Sequence, residues 1–198
     1  AGVRRALVAR RKQVAEDGTL PHRIDAFGEQ LRAVRDRLPS WPLADLEFDD
    51  LAPGFERSYR RAREAMRAID DAPSDARFHE WRKRAKDHRY QLELLRDLWP
   101  AQVRTRRAEV RTLGDLLGDE HDLSVLRATL SVASERFGDG GARLLDLAQR
   151  QQAELRAQTW PLGLRLFAER PKALIRRYRR YWQAWRDEGD RGALDRAA

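Results

Sequence analysis

Residues 78–90 read FHEWRKRAKDHRY, a stretch in which lysines, arginines and two histidines crowd together with aromatic side chains. Helical residues advance by about 100° each, so this spacing sorts the side chains onto faces. Phe78, Trp81, Ala85, His88, Leu92, Leu95 and Trp99 share one side and predict a core stripe. His79, Arg82, Lys86 and Arg89 form a second stripe roughly a third of a turn away, with Lys83 and Tyr90 on its shoulder and Glu93 at its end. Glu80 and Asp87 fall on the far side. An ordinary solvated face mixes signs at i,i+4 spacing and gains about 0.2–0.5 kcal/mol per pair. The stripe keeps one sign over successive turns, which costs stability unless an anion neutralises it. Anion binding is the chemistry it fits.

Two other segments repeat the arrangement. Leu174, Ile175, Tyr178, Tyr181, Trp182 and Trp185 predict an apolar face, beside which Lys172, Arg176, Arg179, Gln183 and Arg186 form a stripe without an acid. Phe55, Tyr59, Ala62, Met66 and Ile69 likewise predict a core face, with Arg60, Arg63 and Arg67 on an adjoining one. Packed together, the three stripes are expected to line a common positive groove or pore. Arginine supplies nearly all of the 40 Lys+Arg, yet Lys83, Lys86 and Lys172 all lie on or beside these stripes. Lysine is a compact, mobile point charge for phosphate, where arginine is a rigid fork.

Residues 117–123, LGDEHDL, invite a different reading, because an adjacent His121-Asp122 occurs among metal-bound phosphohydrolase ligands. Such a site needs further His or Asp ligands. His79 and His88 fall on different faces of their helix and His22 is remote in sequence, so neither a metal nor a catalytic residue is expected. His121 reads as an interface histidine oriented by a carboxylate and His88 as an interior one. His79, on the basic stripe, is the functional candidate.

These residues must be positioned by helices. The apolar residues recur with helical period, strand signals are nearly absent, and neither a P-loop nor a dinucleotide-binding glycine pattern occurs. The spacing predicts an all-α protein with helices near 2–16, 21–38, 54–71, 74–98, 101–136, 141–169 and 172–187. Pro21, Pro53, Pro73, Pro100 and Pro171 fall at helix starts, and Ser74 or Asp75 is the expected cap of the fourth helix. Asp17-Gly18 and Gly138–Gly141 read as turns; Gly118 is expected to bend the fifth helix and Pro161 to kink the sixth. Residues 39–52 are acidic and proline-containing, and read as a linker packed between two bundles. The expected division is a partial first bundle plus linker at 1–52, a second bundle at 53–187 and a tail at 188–198.

The chain has 198 residues, enough to bury a core, with 41% hydrophobic and 36% charged residues. The absence of cysteine excludes disulfides, thiolate metal sites and cysteine catalysis, and fits a reducing compartment. No apolar run reaches membrane-spanning length, so no membrane partner is expected. A net charge of +8 with a pI near 10.5 predicts attraction to polyanions. The first residue is Ala1 and the only methionine is Met66, so the chain reads as a piece of a longer polypeptide.

FHEWRKRAKDHRYQLELL at 78–95, followed by LGDLLGDEHDLSVL at 113–126, closely resembles the second half of the CHAD family, the conserved histidine α-helical domain. PGFERSYRRAREAM (53–66) and LFAERPKALIRRYRRYWQAW (166–185) resemble it as well, so the likeness spans about residues 53–187. The resemblance implies a duplicated fold of two four-helix bundles whose basic faces meet around a cavity for inorganic polyphosphate, associated with polyphosphate granules. By position it implies His79, Arg82, Lys83, Lys86, Arg89 and Tyr90 as the ligand surface, with His121 and Asp122 in a second element and Lys172 and Arg176 on the basic last helix. Residues 1–52 hold no copy of the basic motif, so the leading helices of the first repeat are expected to be missing.

The leading expectation is therefore a non-enzymatic, cofactor-free binding module for inorganic polyphosphate, located in the cytoplasm on polyphosphate granules. Nucleic-acid binding is the alternative; it would call for aromatic platforms or base-reading amides among the charges, whereas Asn is absent and Gln183 is the single amide on the stripes. Phosphohydrolase activity and a helical scaffold with basic faces are the remaining alternatives.

Overall fold

In a computed structural model, residues 2–16, 18–43, 46–132 and 134–197 are described; side-chain surroundings are described for these residues except 2, 3, 6, 7, 10, 14, 132, 134–139 and 191–197. The helices are α1 (Gly2–Ala15), α2 (Thr19–Arg37), α3 (Phe48–Asp71), α4 (Asp75–Leu94), α5 (Pro100–Val132), α6 (Ser134–Leu166) and α7 (Pro171–Ala197), with a 3-10 turn at Leu38–Ser40. No strand occurs among the described residues, and the protein is all-α. Two compact units form: Ala1–Leu46 with Ala133–Leu144, and Glu47–Val132 with Leu145–Ala198. The predicted anion-binding residues all belong to the second.

Helix boundaries follow local chemistry more closely than the proline positions do. α3 begins at Phe48, before Pro53, because Glu47 and Asp50 form a capping box: Glu47 N–H donates to Asp50 Oδ2 at 2.9 Å while the Glu47 side chain accepts from the third helical N–H. Pro53 then lies inside the helix, where it forfeits only the bond to the Asp49 carbonyl near an exposed end. Ser74 is the cap of α4, its Oγ accepting from Arg77 N–H at 3.3 Å. α4 ends at Leu94 rather than near 98, so Trp99 leaves the core stripe; it is exposed and meets Tyr181 edge-on at 5.0 Å. Gly118 and Pro161 both lie within continuous helices, and the glycines at 138–141 are helical rather than a turn. α7 continues past 187 to Ala197. Asp17, the first half of one expected turn, lies outside the described residues; Gly18, its second half, has a left-handed φ of 73°.

The core of the second unit is built from the predicted stripes. Phe55, Tyr59, Ala62, Met66 and Ile69 of α3 and Phe78, Trp81, Ala85, His88 and Leu92 of α4 are buried, as are Leu174, Ile175 and Tyr178 of α7. Val103, Val110, Leu113 and Leu117 complete the cluster from α5. At about 25 cal/mol per Å² of apolar surface removed from water, these large side chains supply the main drive for packing. α3 packs on α4 and on α7, and α4 packs on α5. Gly163 of α6 lets that helix close on the core: a Cβ there would stand 2.5 Å from Trp81 Cζ2 and 2.9 Å from Met66 Sδ.

A polar network joins the start of α4 to α5 and α6. Glu120 is wholly buried, and its Oε1 accepts from Gln152 Nε2 at 2.8 Å and from Arg156 Nε at 2.9 Å. Arg156 also binds Asp75 and lies 4.3 Å over the Phe78 ring. Asp75 Oδ2 accepts from Ser124 Oγ at 2.8 Å. Burial alone would push the Asp75 carboxyl up; the Ser124 and Arg156 hydrogen bonds and the nearby arginine charges outweigh it and hold the group below the usual carboxylate range. Removing Arg156 would leave the buried Glu120 carboxylate without its counter-charge, a loss of about 3–5 kcal/mol.

Candidate anion-binding groove

The basic stripe of α4 faces α5. The two helices run antiparallel, with His79 against His121 at one end and Glu93 bound to Arg107 at the other. Between these points Arg82 lies over Gly118, and Arg82, Lys86 and Arg89 line a cavity of about 140 Å³ with Val110, Arg111, Gly114 and Asp115. Beyond it a wider recess of about 370 Å³ is walled by Arg89, Tyr90, Glu93, Arg104, Arg107, Ala108 and Arg111. The α5 residues that meet the stripe, Arg104, Arg107, Arg111, Gly114, Gly118 and His121, recur at alternating spacings of three and four. That period is the one that keeps a single helix face turned towards an antiparallel neighbour.

The two glycines set the depth of the groove. A Cβ at Gly118 would stand 3.4 Å from Arg82 Nε, in van der Waals contact, so a side chain longer than alanine's would press on that guanidinium. A Cβ at Gly114 would meet nothing within 4 Å, so the glycine leaves open space beside Lys86. Mid-helix glycine costs about 0.5–1 kcal/mol relative to alanine. Gly118 gives clearance to a basic side chain, and α5 runs unbroken through it.

The charges in the groove are unevenly compensated. Among the described residues, no carboxylate pairs with Arg82, Lys86, Arg89 or Arg104, whereas Arg107 pairs with Glu93, and Arg111 with Asp115 at 3.7 Å. Elsewhere cations are commonly neutralised: Arg84 binds Glu80 at 2.7 Å and Asp87 at 3.0 Å, and Arg177 binds Glu169 at 2.7 Å. Arg82 Nε and His79 Nδ1 are buried without a hydrogen-bond partner. A buried donor left unmade costs about 1–3 kcal/mol, a cost that an anion's oxygen would relieve at Arg82.

His79 and His121 lie against each other with ring centroids 4.2 Å apart and the planes tilted by 35°. Burial, then the charges of His121, Lys83 and Arg82, hold the His79 imidazole below its ordinary pKa, with Glu80 opposing weakly. His88 serves packing, as predicted. It is fully buried, stacks on Phe55 at 5.3 Å, and its Nδ1 lies 3.3 Å from Ser58 Oγ. Burial, and secondarily the Arg106 charge, push its pKa down to about 3.

The predicted site residues thus separate into two groups. His79, Arg82, Lys86, Arg89, Tyr90 and His121 come together on the α4–α5 face. Lys83 sits on the shoulder and is tied to Glu80 at 2.6 Å. The others lie on α3 and α7 and are engaged differently. Arg63 Nε donates to the Phe167 carbonyl at 2.9 Å, closing the end of α6. Arg60 is 3.9 Å from Glu64, and Arg179 binds Asp49. Arg186 reaches Glu47 at 3.3 Å, so basic residues of α7 clamp the acidic start of α3. Arg67, Lys172 and Arg176 are exposed. The expected partner of the α4 stripe, a pair of further basic stripes on α3 and α7, is replaced by α5. Arg104, Arg107 and Arg111 were missed, although their spacing in sequence carried the signal.

Asp122 is exposed beside His121, and among the described residues no three His, Cys, Asp or Glu side chains converge. Compared with known protein families, the chain matches the CHAD domain over residues 1–131. It belongs to the CHAD family. The match takes in α1 and α2, where no copy of the basic motif was found, together with α3, α4 and nearly all of α5. The groove of this CHAD protein lies wholly inside the matched stretch, whereas α6 and α7 lie beyond it. No curated protein matches the chain, and no solved structure does.

Proposed function

We propose that this CHAD protein is a non-enzymatic binding module for inorganic polyphosphate, held in the α4–α5 groove and serving in the cytoplasm at polyphosphate granules. The observation that carries the reading is the row Arg82–Lys86–Arg89, which faces a glycine-floored cavity and is continued by Arg104 in the adjoining recess; among the described residues none of these four charges has a carboxylate partner. A linear chain of phosphates presents a repeated anion with no base to read, and a row of cations along two helices matches that repeat. The groove offers one aromatic, Tyr90, already engaged by Arg89 at 5.0 Å, and no amide side chain among its lining residues. Nucleic acid would ask for more of both.

Affinity of this kind comes from phosphate neutralisation with counterion release, and falls steeply with salt. The test is competition binding at fixed ionic strength among long-chain polyphosphate, orthophosphate, single-stranded DNA and duplex DNA. Polyphosphate should win at matched charge; equal affinity for all polyanions would reduce the groove to generic electrostatics. Lys86→Glu should weaken polyphosphate binding by more than about tenfold, or ~1.4 kcal/mol. Arg57→Glu, the same charge change at an exposed position of α3, should leave it within a small factor. Equal losses in the two variants would remove the groove as the site.

A further inference from the structure

We infer that Glu93 is an internal stand-in for phosphate that holds Arg107 out of use until a bound polyphosphate chain displaces it, an inference that rests on the groove being the anion site. Glu93 lies one helical turn past Arg89 on the same face of α4, and Arg107 stands between Arg104 and Arg111 on the facing side of α5. Both line the wider recess, so their ion pair runs from one wall to the other across the path that continues the row Arg82–Lys86–Arg89. Asp115, the other acid of the groove, is placed differently. It pairs at 3.7 Å with Arg111 of its own helix, and both side chains are largely exposed.

The pair is arranged so that it can open. Glu93 Oε2 meets Arg107 at Nη2, while the Nε of Arg107 is buried without an acceptor. A guanidinium presents Nε and Nη2 as a two-donor fork, so the carboxylate leaves half of that fork unfilled. Its other oxygen is already committed elsewhere: Arg96 Nη1 donates to Glu93 Oε1 at 3.0 Å. Arg96 therefore keeps the carboxylate paired when Arg107 is released. A tethered competitor acts at an effective concentration on the order of millimolar, which a free phosphate must exceed to take its place. A chain anchored at Arg82, Lys86 and Arg89 brings its next phosphates to Arg107 with the same advantage of tethering.

The test is calorimetric titration of the whole chain with long-chain polyphosphate over a series of salt concentrations, comparing Glu93→Gln, Arg107→Gln and the double variant. Glu93→Gln should bind at least about tenfold tighter than wild type. Its plot of log Kd against log salt should steepen by about 0.7, one further phosphate neutralised. Asp87→Asn makes the same charge change on the far side of α4, where it loosens Arg84 instead, and should stay close to wild type. In the Arg107→Gln background the gain from Glu93→Gln should shrink to the size of that control. An undiminished gain there would mean that Glu93 merely repels the polyanion, and would overturn the inference. So would a Glu93→Gln that binds no tighter, or a gain that Asp87→Asn equals. Glu93 is part-exposed at the end of α4, so Glu93→Gln should keep wild-type helicity by circular dichroism; a loss of helicity would make the pair structural and refute its role as a competitor. All of these failures leave the groove reading standing as long as Lys86→Glu weakens binding. If Lys86→Glu has no effect, that reading falls and this inference with it.

Discussion

Replacing Gly114 separates the stability of the groove from its function. The residue lies mid-helix in α5 and lines the cavity with Arg82, Lys86 and Arg89, and a Cβ there meets nothing within 4 Å. Gly114→Ala should therefore gain the helix-propensity difference without a steric cost, about 0.5–1 kcal/mol. For a chain of this size that raises Tm by about 1–4 °C. Gly114→Leu carries a similar propensity gain but places a branched side chain where the anion would lie. If it lengthens one lysine–phosphate separation from about 4 to about 7 Å, the attraction at an effective dielectric near 20 drops from about 4 to about 2.4 kcal/mol. That difference slightly exceeds a factor of ten in Kd. Thermal melts and calorimetric titration with long-chain polyphosphate measure both effects. Gly189→Leu, an open glycine of α7, is the control for helix propensity and added bulk. Wild-type affinity in Gly114→Leu would place the ligand elsewhere, and a fall in Tm for Gly114→Ala would show that the position is not open.

Other perturbations test other parts of the same account. A bound anion opposes the effects that hold the His79 pKa down, so binding should take up protons and strengthen as pH falls through the imidazole range; calorimetry in buffers of different ionisation heat measures the uptake, and an unchanged value in His79→Gln would refute it. His88 titrates near 6.5 when unfolded and about 3 when folded, so the unfolded state binds the extra proton and stability falls as pH drops below 6.5, by up to roughly 1.4 kcal/mol per pH unit. Urea unfolding between pH 6.5 and 5, above most carboxylate titrations, should show this slope in the wild type and a shallower one in His88→Gln. Gly163→Ala drives a Cβ into Trp81 and should lose about 1–3 kcal/mol in chemical denaturation; a loss under half a kcal/mol would mean that α6 shifts freely.

Much of this protein was legible because helical period is local. The stripes Phe55–Tyr59–Ala62–Met66–Ile69 and Phe78–Trp81–Ala85–His88–Leu92 are buried as their spacing predicts. His79, Arg82, Lys86 and Arg89 share the predicted face of α4. Which helix that face meets was not legible. Like-signed stripes on α3 and α7 pointed to a shared pore, but a stripe's charge does not say whether acids from elsewhere will neutralise it. Asp49 and Glu47 do so for Arg179 and Arg186. Glu120, read only as part of the LGDEHDL segment, is a buried ion-pair partner because Arg156 and Gln152 arrive from α6, more than 30 residues away.

The sequence by itself determined the all-α class, the apolar faces and the polyanion-attracting charge, since each follows from composition and from residue contacts within a few turns of one helix. Tertiary structure alone decided that α5 supplies the second wall. It also gave Gly118 and Gly114 their roles, which depend on what stands opposite: an arginine over one and open space beside the other. A glycine within a helical pattern reads as a weakness until its neighbour is known. Here the missing side chains give room to a row of cations that have no carboxylate partners among the described residues, and that arrangement exists only once two helices are laid side by side in register.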